Sequence, residues 1–214
     1  MAGLVGNIME WYDFAVYGYF ASIIGAQFFP SENPAVSLIS AFGAFAAGFL
    51  MRPIGGILFG RIGDVFGRKR VLTLSVLSMA IPTVLIGLMP NYAAIGIAAP
   101  ILIVILRMIQ GLSVGGEYTS SVVFMVEKAP ENRRSFFAMW SLWGAIFGIM
   151  LGSGIGAGAA AVFGSEALAD WGWRVPFLLG ALVALTCYLV RRAIHAEEQN
   201  IGSETPVRDT FFTH

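Results

Sequence analysis

Long apolar runs with very few charges limit what this chain can fold into. Charged residues make up 12% of the 214 residues, whereas a soluble domain carries roughly 25%. Hydrophobic residues make up 57% without glycine, above the ~45–50% that is usual when glycine is included. Several runs exceed the roughly 18 residues that indicate a membrane-spanning helix. We therefore predict an all-α integral membrane protein.

Polar residues divide the chain into six apolar segments, each predicted to be one transmembrane helix. The spans are residues 6–29, 36–59, 71–89, 93–126, 136–163 and 175–190. The fourth is too long for one perpendicular helix, so it must tilt or project into water. Charged loops are expected at Arg61–Arg70 and Glu127–Arg134. Residues 1–194 should form the bundle, followed by a cytoplasmic tail, 195–214, that is disordered or lies on the surface.

The distribution of basic residues predicts the orientation. The connections after segments two, four and six contain nine Lys and Arg residues, and the other connections contain only Arg174. Basic residues accumulate in short cytoplasmic loops. We therefore expect a multi-pass protein of the inner (plasma) membrane with both termini in the cytoplasm.

Several classes of function are disfavoured. The balance of 13 basic and 13 acidic residues argues against a nucleic-acid partner, which needs a basic face. Cys187 is the single cysteine, and the two histidines, His195 and His214, lie in the polar tail, so no metal site can be assembled from them. No recognisable nucleophile–base pair is present. We expect a protein that is not an enzyme and has no cofactor.

Five charged residues inside the apolar segments are the strongest functional signal. They are Glu10 and Asp13 in the first segment, Arg52 in the second, and Arg107 and Glu117 in the fourth. Because a charge facing lipid is costly, these side chains should face the protein interior or a water-filled cavity. For Glu10 and Glu117 the alternative is a place near the cytoplasmic end, from which the side chain reaches water.

Arg107 lies deep in its segment, about 20 Å from the start at 1.5 Å per residue. It needs an anionic partner there, either a carboxylate of segment one or an anionic substrate. Helical spacing places Arg107 and Gln110 on one face with Gly111, Val114 and Tyr118. Glu10, Asp13 and Tyr17 are spaced three and four residues apart on segment one. The two faces could line one cavity.

These faces supply the candidate site residues. Tyr17, Arg52, Arg107 and Gln110 are candidates for substrate binding, and Glu10, Asp13 and Glu117 for proton coupling. Burial favours the neutral form of a carboxylate, whereas a nearby arginine favours the charged form. If the arginine moved to a substrate anion, the carboxylate could take up the proton, which is then the coupling ion.

Glycines recur every fourth residue along segment five, at Gly144, Gly148, Gly152 and Gly156. Such a row forms a groove that another helix can approach closely. The pattern predicts tight packing within the bundle or, as an alternative, a homodimer seam.

The loop motifs resemble those of the major facilitator superfamily. Gly60-Arg-Ile-Gly-Asp64-Val-Phe-Gly67-Arg68-Lys69-Arg70 is similar to its signature between helices two and three. Arg107-x-x-Gln110-Gly111-x-x-x-Gly115-Gly116-Glu117-Tyr118 is similar to its fourth-helix motif, which Glu127 and Arg134 continue into the next loop. The resemblance implies a cytoplasmic gate formed by Gly60, Asp64, Gly67, Arg68, Lys69, Arg70, Glu127 and Arg134.

Three further patterns resemble the metabolite:proton symporter family, whose members carry 2-oxoglutarate, citrate, shikimate, proline or betaine. They read Gly6-Asn7-x-x-Glu10-Trp11-Tyr12-Asp13-Phe14, Arg52-Pro53-x-Gly55-Gly56 and Trp171-Gly172-Trp173-Arg174-x-Pro176-Phe177. The resemblance implies proton-coupled symport of a small organic acid by alternating access. A proline/betaine carrier is the alternative. By the same likeness, Arg52, Arg107 and Glu117 line or neighbour the pathway.

A complete member of the superfamily has two six-helix halves, each a 3+3 inverted repeat, with the site between them. This sequence corresponds to the N-terminal half. Its expected partners are the substrate and proton, the lipid bilayer, and a second six-helix half or another copy. A non-transporting membrane module that dimerises through the glycines of segment five is a further alternative.

Overall fold

The computed structural model describes the backbone of residues 2–66, 68–127 and 130–204. Within those residues every regular element is helical. The α-helices are α1 (Ala2–Tyr19), α2 (Ala21–Phe28), α3 (Pro34–Phe66), α4 (Arg68–Leu88), α5 (Tyr92–Ile95), α6 (Ala98–Glu127), α7 (Arg134–Ala167) and α8 (Arg174–Glu204). A 3₁₀ turn, Glu131–Arg133, precedes α7, and a π-helical turn, Leu168–Gly172, follows it.

Three stretches of the described chain are long and apolar enough to cross a membrane: Pro34–Phe66, Ala98–Gly115 and Leu142–Gly172. Two shorter apolar stretches, Leu74–Leu88 and Arg174–Leu189, accompany them. These five match the predicted segments two to six in order. The first predicted segment is divided between α1 and α2, which meet at Phe20.

Two glycines have left-handed backbone angles, one within predicted segment four and the other directly after predicted segment five. Gly96 has a φ of 58° and separates the short α5 from α6. Gly164 has a φ of 68° and kinks α7. Both angles lie in the left-handed region, where a residue without Cβ is not penalised. Segment four is therefore not one continuous helix, but α6 alone still has 30 residues, more than the ~20 that one perpendicular span needs.

The charged stretch Arg61–Arg70, predicted as a loop, is helical wherever it is described. Helix α3 continues to Phe66 and α4 begins at Arg68. Arginine and lysine are good helix formers, so a charged stretch does not by itself end a helix. Helix α8 likewise continues beyond the predicted span, to Glu204, so ten residues assigned to a polar tail extend it instead.

Helices α3 and α6 approach each other through glycines of both helices. A Cβ added to Gly111 would overlap the carbonyl oxygen of Gly48, and one added to Gly115 would overlap that of Arg52. Gly55 meets the carbonyl of Leu112 in the same way. Backbone-to-backbone contact of this kind is typical of membrane helix pairs, in which small residues let the chains pack closely.

The glycines predicted on segment five face the bundle. A Cβ on Gly148 would lie 2.6 Å from the carbonyl oxygen of Ile8, and one on Gly152 would lie 2.7 Å from that of Tyr12. Gly156 lies against the ring of Tyr19. Because this row is occupied by α1, packing within the bundle is confirmed, and the homodimer seam through these glycines is wrong.

Arg174, at the start of α8, forms hydrogen bonds with the end of α4. Its Nη1 donates hydrogen bonds to the carbonyl oxygens of Gly87, at 3.1 Å, and Met89, at 2.6 Å. A helix leaves its last carbonyls without intrahelical donors, and a basic side chain is a favourable partner for them. Its guanidinium also lies 4.6 Å from the ring of buried Trp173. The Trp-Gly-Trp-Arg pattern therefore has a structural role at this end of the bundle.

The glycine contact between α3 and α6 generates a stability prediction. We expect Gly111→Ala to lower the free energy of unfolding by about 1–3 kcal/mol, because the new methyl group forces the helices apart. The measurement is denaturant unfolding in mixed detergent micelles. Gly43→Ala is the matched control, since a Cβ there meets nothing within 4 Å. Equal stability of the two variants would contradict the close packing.

Candidate functional site

A buried ion pair joins α1 to α6 near the middle of the bundle. Arg107 Nη1 lies 2.5 Å from Asp13 Oδ2, and the two side chains are 2% and 0% exposed. Opposite charges so placed compensate each other in a medium that solvates neither. The predicted need of Arg107 for an anionic partner is met by a carboxylate of the first segment.

The second oxygen of Asp13 has two further partners. Asp13 Oδ1 accepts hydrogen bonds from Thr83 Oγ1 at 2.8 Å and from Gln110 Nε2 at 3.1 Å. Gln110 Nε2 also donates to Thr83 Oγ1 at 2.9 Å. The carboxylate therefore connects α1, α4 and α6 through side chains that are all buried.

Arg107 lies on an aromatic ring and keeps unused hydrogen-bonding capacity. Its guanidinium carbon is 3.8 Å from the ring centroid of Tyr17, and the Tyr17 hydroxyl donates to the carbonyl of Ala41 at 2.8 Å. Within the described residues, Arg107 Nε and Nη2 and Gln110 Oε1 have no hydrogen-bond partner. Buried polar atoms without partners are uncommon in native proteins, so these atoms mark a place where a ligand or water can bind.

A second ion pair lies beside the first but is more open. Arg52 Nη2 is 3.4 Å from Glu10 Oε1, with side chains 27% and 4% exposed. The guanidinium of Arg52 lies over Phe49, at 3.8 Å, and near Phe14, at 5.1 Å. Because Glu10 is buried against Arg52, the alternative that it merely reaches for bulk water is wrong.

The structure brings together all the substrate-binding candidates and two of the three proton-coupling candidates. Asp13, Arg107, Gln110 and Tyr17 form one contiguous cluster, with the Glu10–Arg52 pair one turn away on α1. The side chain of Glu117 lies outside the described residues. The four charges cancel pairwise, so the described part of the site is formally neutral.

The predicted gate is described only in part. Asp64 is exposed near the end of α3, which also contains Gly60, and Arg134 begins α7 with an exposed side chain. Gly67 and the side chains of Arg68, Lys69, Arg70 and Glu127 lie outside the described residues. Assignment of these residues to a cytoplasmic gate remains a prediction.

Thr83 is the site residue that the sequence does not reveal. It is uncharged and lies within an apolar segment, so neither charge nor periodicity singles it out. Its position directly after Pro82 is no signal either, because Pro82 leaves the carbonyl of Ser78 without its helical donor, whereas the Thr83 hydroxyl bonds that of Met79.

Among the described residues, no group of three His, Cys, Asp or Glu side chains is arranged to hold a metal ion. The charged groups of the site are arginine–carboxylate pairs. The carboxylate of such a pair can bind a proton, and the arginine can bind another carboxylate. This chemistry resembles that of intramembrane proton and substrate pathways.

A family model described as "Sugar (and other) transporter" matches residues 1–194. The chain belongs to this transporter family. Members of such a family are membrane proteins and not enzymes, so both of these predictions are confirmed at that level. The solved structures that the chain resembles, described below, bear on its fold.

Among relatives, the proline/betaine transporter of Salmonella typhimurium is 42% identical over 193 residues, which are 90% of this chain and 39% of that protein. The shikimate transporter of Escherichia coli is 40% identical over 195 residues, 91% of this chain and 44% of that protein. The chain thus spans less than half the length of these curated relatives.

The solved structures establish the fold. The partially occluded, inward-open xylose transporter XylE from E. coli superimposes with a TM-score of 0.78 at 22% identity, covering 90% of this chain and 48% of that one. A proton:xylose symporter structure of the same protein, with a bound bromodeoxyglucose, gives 0.78 at 21% identity, covering 90% of this chain and 43% of that one. The helices of this chain therefore have a major facilitator arrangement.

The buried ion pair generates a double-mutant prediction. Asp13→Asn or Arg107→Gln alone leaves one buried charge without its partner, and each should cost about 3–5 kcal/mol of unfolding free energy. The double variant should cost clearly less than the sum of the two. Unfolding in mixed micelles measures all four corners of the cycle.

The Glu10–Arg52 pair provides the matched control for this cycle. Because Arg52 is partly exposed and the contact is longer, the coupling between Glu10→Gln and Arg52→Gln should be about 1 kcal/mol or less. Additive effects at Asp13 and Arg107 would show that their contact contributes no coupling.

Proposed function

We propose that this chain forms the N-terminal six-helix half, a 3+3 inverted repeat, of a proton-coupled symporter for a small solute that carries a carboxylate. The observation that carries the proposal is the buried Asp13–Arg107 pair, in which the arginine binds a carboxylate and keeps two nitrogen atoms that have no hydrogen-bond partner among the described residues. The relatives' names and the transporter family support the same class of function.

In this proposal Asp13 binds the coupling proton and Arg107 binds the substrate. While Arg107 pairs with Asp13, the carboxylate stays charged. When a substrate carboxylate reaches the unused Nε and Nη2 atoms, the guanidinium can form a bidentate pair with it. Asp13 then loses its counter-ion and takes up a proton, so proton binding and substrate binding are coupled.

A zwitterionic solute such as proline or betaine is the first candidate substrate. The first relative named above is a proline/betaine transporter, and aromatic rings of Phe14, Phe45 and Phe49 lie next to each other beside the two arginines. Aromatic faces recognise quaternary and secondary ammonium groups. A net-neutral set of site charges also matches a solute with no net charge.

An organic acid is the second candidate, favoured by the similarity to a shikimate transporter. Shikimate, proline and betaine share a carboxylate, which is the group that an arginine recognises. Arg52 is the residue that could serve an additional anionic group, since it is partly exposed and Nε has no hydrogen-bond partner among the described residues.

The proposed partner of this half is a second six-helix half. Helices α3 and α7 expose large apolar side chains, including Phe49, Leu50, Trp143 and Met150. In a membrane such faces contact lipid or another helix layer. The gate residues of the connection between α3 and α4 would then act at the cytoplasmic end of this junction, in the plasma membrane.

Transport can be tested with the complete transporter in membrane vesicles. We expect labelled betaine or proline to accumulate under an acid-outside gradient, with less accumulation of labelled shikimate. Asp13→Asn should retain exchange of labelled for unlabelled substrate and lose gradient-driven accumulation, because the proton site is gone.

Glu32→Gln, at an exposed position between α2 and α3, is the control that should transport normally. If the proton gradient drove equal accumulation in Asp13→Asn and in wild type, Asp13 could not be the coupling residue. Accumulation of shikimate alone would favour the organic-acid alternative.

Orientation is tested by cysteine labelling in a Cys187→Ala background. Glu32→Cys should react with a membrane-impermeant maleimide added to intact cells, because that connection is predicted to be external. Asn132→Cys, exposed in the 3₁₀ turn, should react only after permeabilisation. The reverse labelling pattern would invert the proposed topology.

A further inference from the structure

Thr83 occupies a central place beside Asp13. It lies on α4 with a side chain that is 0% exposed. Its hydroxyl oxygen is 2.8 Å from Asp13 Oδ1, 2.8 Å from the carbonyl oxygen of Met79, and 2.9 Å from Gln110 Nε2. A single hydroxyl therefore touches three buried polar groups.

The Thr83 hydroxyl can donate to Asp13 or to the Met79 carbonyl, but not to both at once. A threonine hydroxyl has one hydrogen to donate and two lone pairs that accept. Asp13 and the Met79 carbonyl are both acceptors, at the same distance, so the hydrogen can point to only one of them at a time. Gln110 Nε2 is a donor and occupies one lone pair in either case.

The two oxygens of Asp13 differ in where a proton can be placed. Oδ2 faces Arg107 Nη1, which only donates, so a hydrogen on Oδ2 would point at another hydrogen. Oδ1 faces Gln110 Nε2, also a donor, and Thr83 Oγ1. Within the described residues, Thr83 is the neighbour of Oδ1 that can accept a hydrogen bond.

We propose that Thr83 is a positioning residue for proton coupling, whose hydroxyl donates to ionised Asp13 and turns to accept from protonated Asp13. This inference rests on the proposed function and deepens it. In the ionised state the Thr83 hydrogen points to Oδ1. In the protonated state the new hydrogen on Oδ1 points to Thr83 Oγ1, and the Thr83 hydrogen points to the Met79 carbonyl.

Protonation of Asp13 adds one hydrogen to the carboxylate and breaks no covalent bond. The proton arrives from the aqueous pathway and stays on Asp13, while Thr83 keeps its own hydrogen throughout. Both states of Asp13 are then fully hydrogen-bonded at Oδ1, which avoids the cost of an unsatisfied buried group. Arg107 loses a charged partner only in the protonated state, when its guanidinium is needed by the substrate.

A purely structural role for Thr83 would concern α4 alone. Pro82 removes the amide donor for the carbonyl of Ser78, four residues earlier, so the Thr83 bond to the Met79 carbonyl would serve only to satisfy the hydroxyl itself. Thr186 makes the same type of bond, to Leu182 at 2.8 Å, on an exposed face of α8. Thr186→Val therefore removes an equivalent intrahelical hydroxyl bond on another helix.

The titratable and charged groups around this site come from three helices. Besides Asp13, α1 contributes Glu10, Tyr12 and Tyr17, α3 contributes Arg52, and α6 contributes Arg107. Each of them is retained in a variant at Thr83, so a change in pH dependence can be assigned to the hydroxyl.

The test compares Thr83→Val and Thr83→Ser in the complete transporter by infrared difference spectroscopy between acidic and neutral pH. The carbonyl stretch of protonated Asp13 is the band that disappears in Asp13→Asn. In Thr83→Val we expect this band at higher wavenumber, because the acid has lost its acceptor. Thr83→Ser should keep the wild-type band, as should Thr186→Val.

Uptake gives a second readout. The alkaline half-point of the uptake profile should move up by about half to one pH unit in Thr83→Val, since the ionised form loses a stronger, charge-assisted bond than the neutral form does. Thr83→Ser should restore the wild-type profile.

An unchanged Asp13 band in Thr83→Val would overturn the inference, and so would a Thr83→Ser variant that behaves like the valine variant. A spectrum with no Asp13-dependent band would also overturn it. Failure of the proposed function is seen separately, as absence of gradient-driven uptake by the wild-type protein, because the infrared bands need no substrate.

Discussion

The cost of holding charge inside a membrane determines how this bundle is arranged. Asp13 and Arg107 are both almost fully buried, and neither could stay charged there without the other. Their contact requires α1 and α6 to be neighbours at this depth. Thr83 and Gln110 complete the bonding of the carboxylate and bring in α4. In the proposed mechanism, the same interaction responds to the proton and to the substrate anion.

The glycine contact between α3 and α6 positions the second arginine with respect to the first. Gly48 lies against the backbone carbonyl of Arg107, and Gly115 lies against that of Arg52. Close backbone approach of this kind leaves little freedom for the helices to slide. The packing of α3 against α6 therefore holds the two ion pairs next to each other. One pair is closed and the other is partly open, so the site has a protected side and an accessible side.

A site residue could be predicted from the sequence only where its residue type is unusual for its surroundings. Glu10, Asp13, Arg52 and Arg107 were identifiable because a charge in an apolar segment is rare and has few physical explanations. The sequence left two partners open for Arg107, a carboxylate of segment one or an anionic substrate. Helical spacing shows which residues share a face, but it does not show which neighbouring helix that face contacts. Thr83 has no such signal, since a threonine in an apolar helix costs little and is common. The helix break at Gly96 was also missed, because glycines elsewhere in the same segment pack without breaking the helix, whereas the kink at Gly164 falls directly after the predicted end of segment five.

The sequence by itself determined the class of the protein, the approximate segments and the residues that must avoid lipid, because these depend on hydrophobicity and charge summed along the chain. The tertiary structure alone decided which helices touch. It assigned the segment-five glycines to α1, joined α3 to α6, and placed the Thr83 hydroxyl between Asp13 and the Met79 carbonyl. The physical reason is that contacts between helices depend on their rotation and crossing in three dimensions, and a linear pattern leaves both of these open.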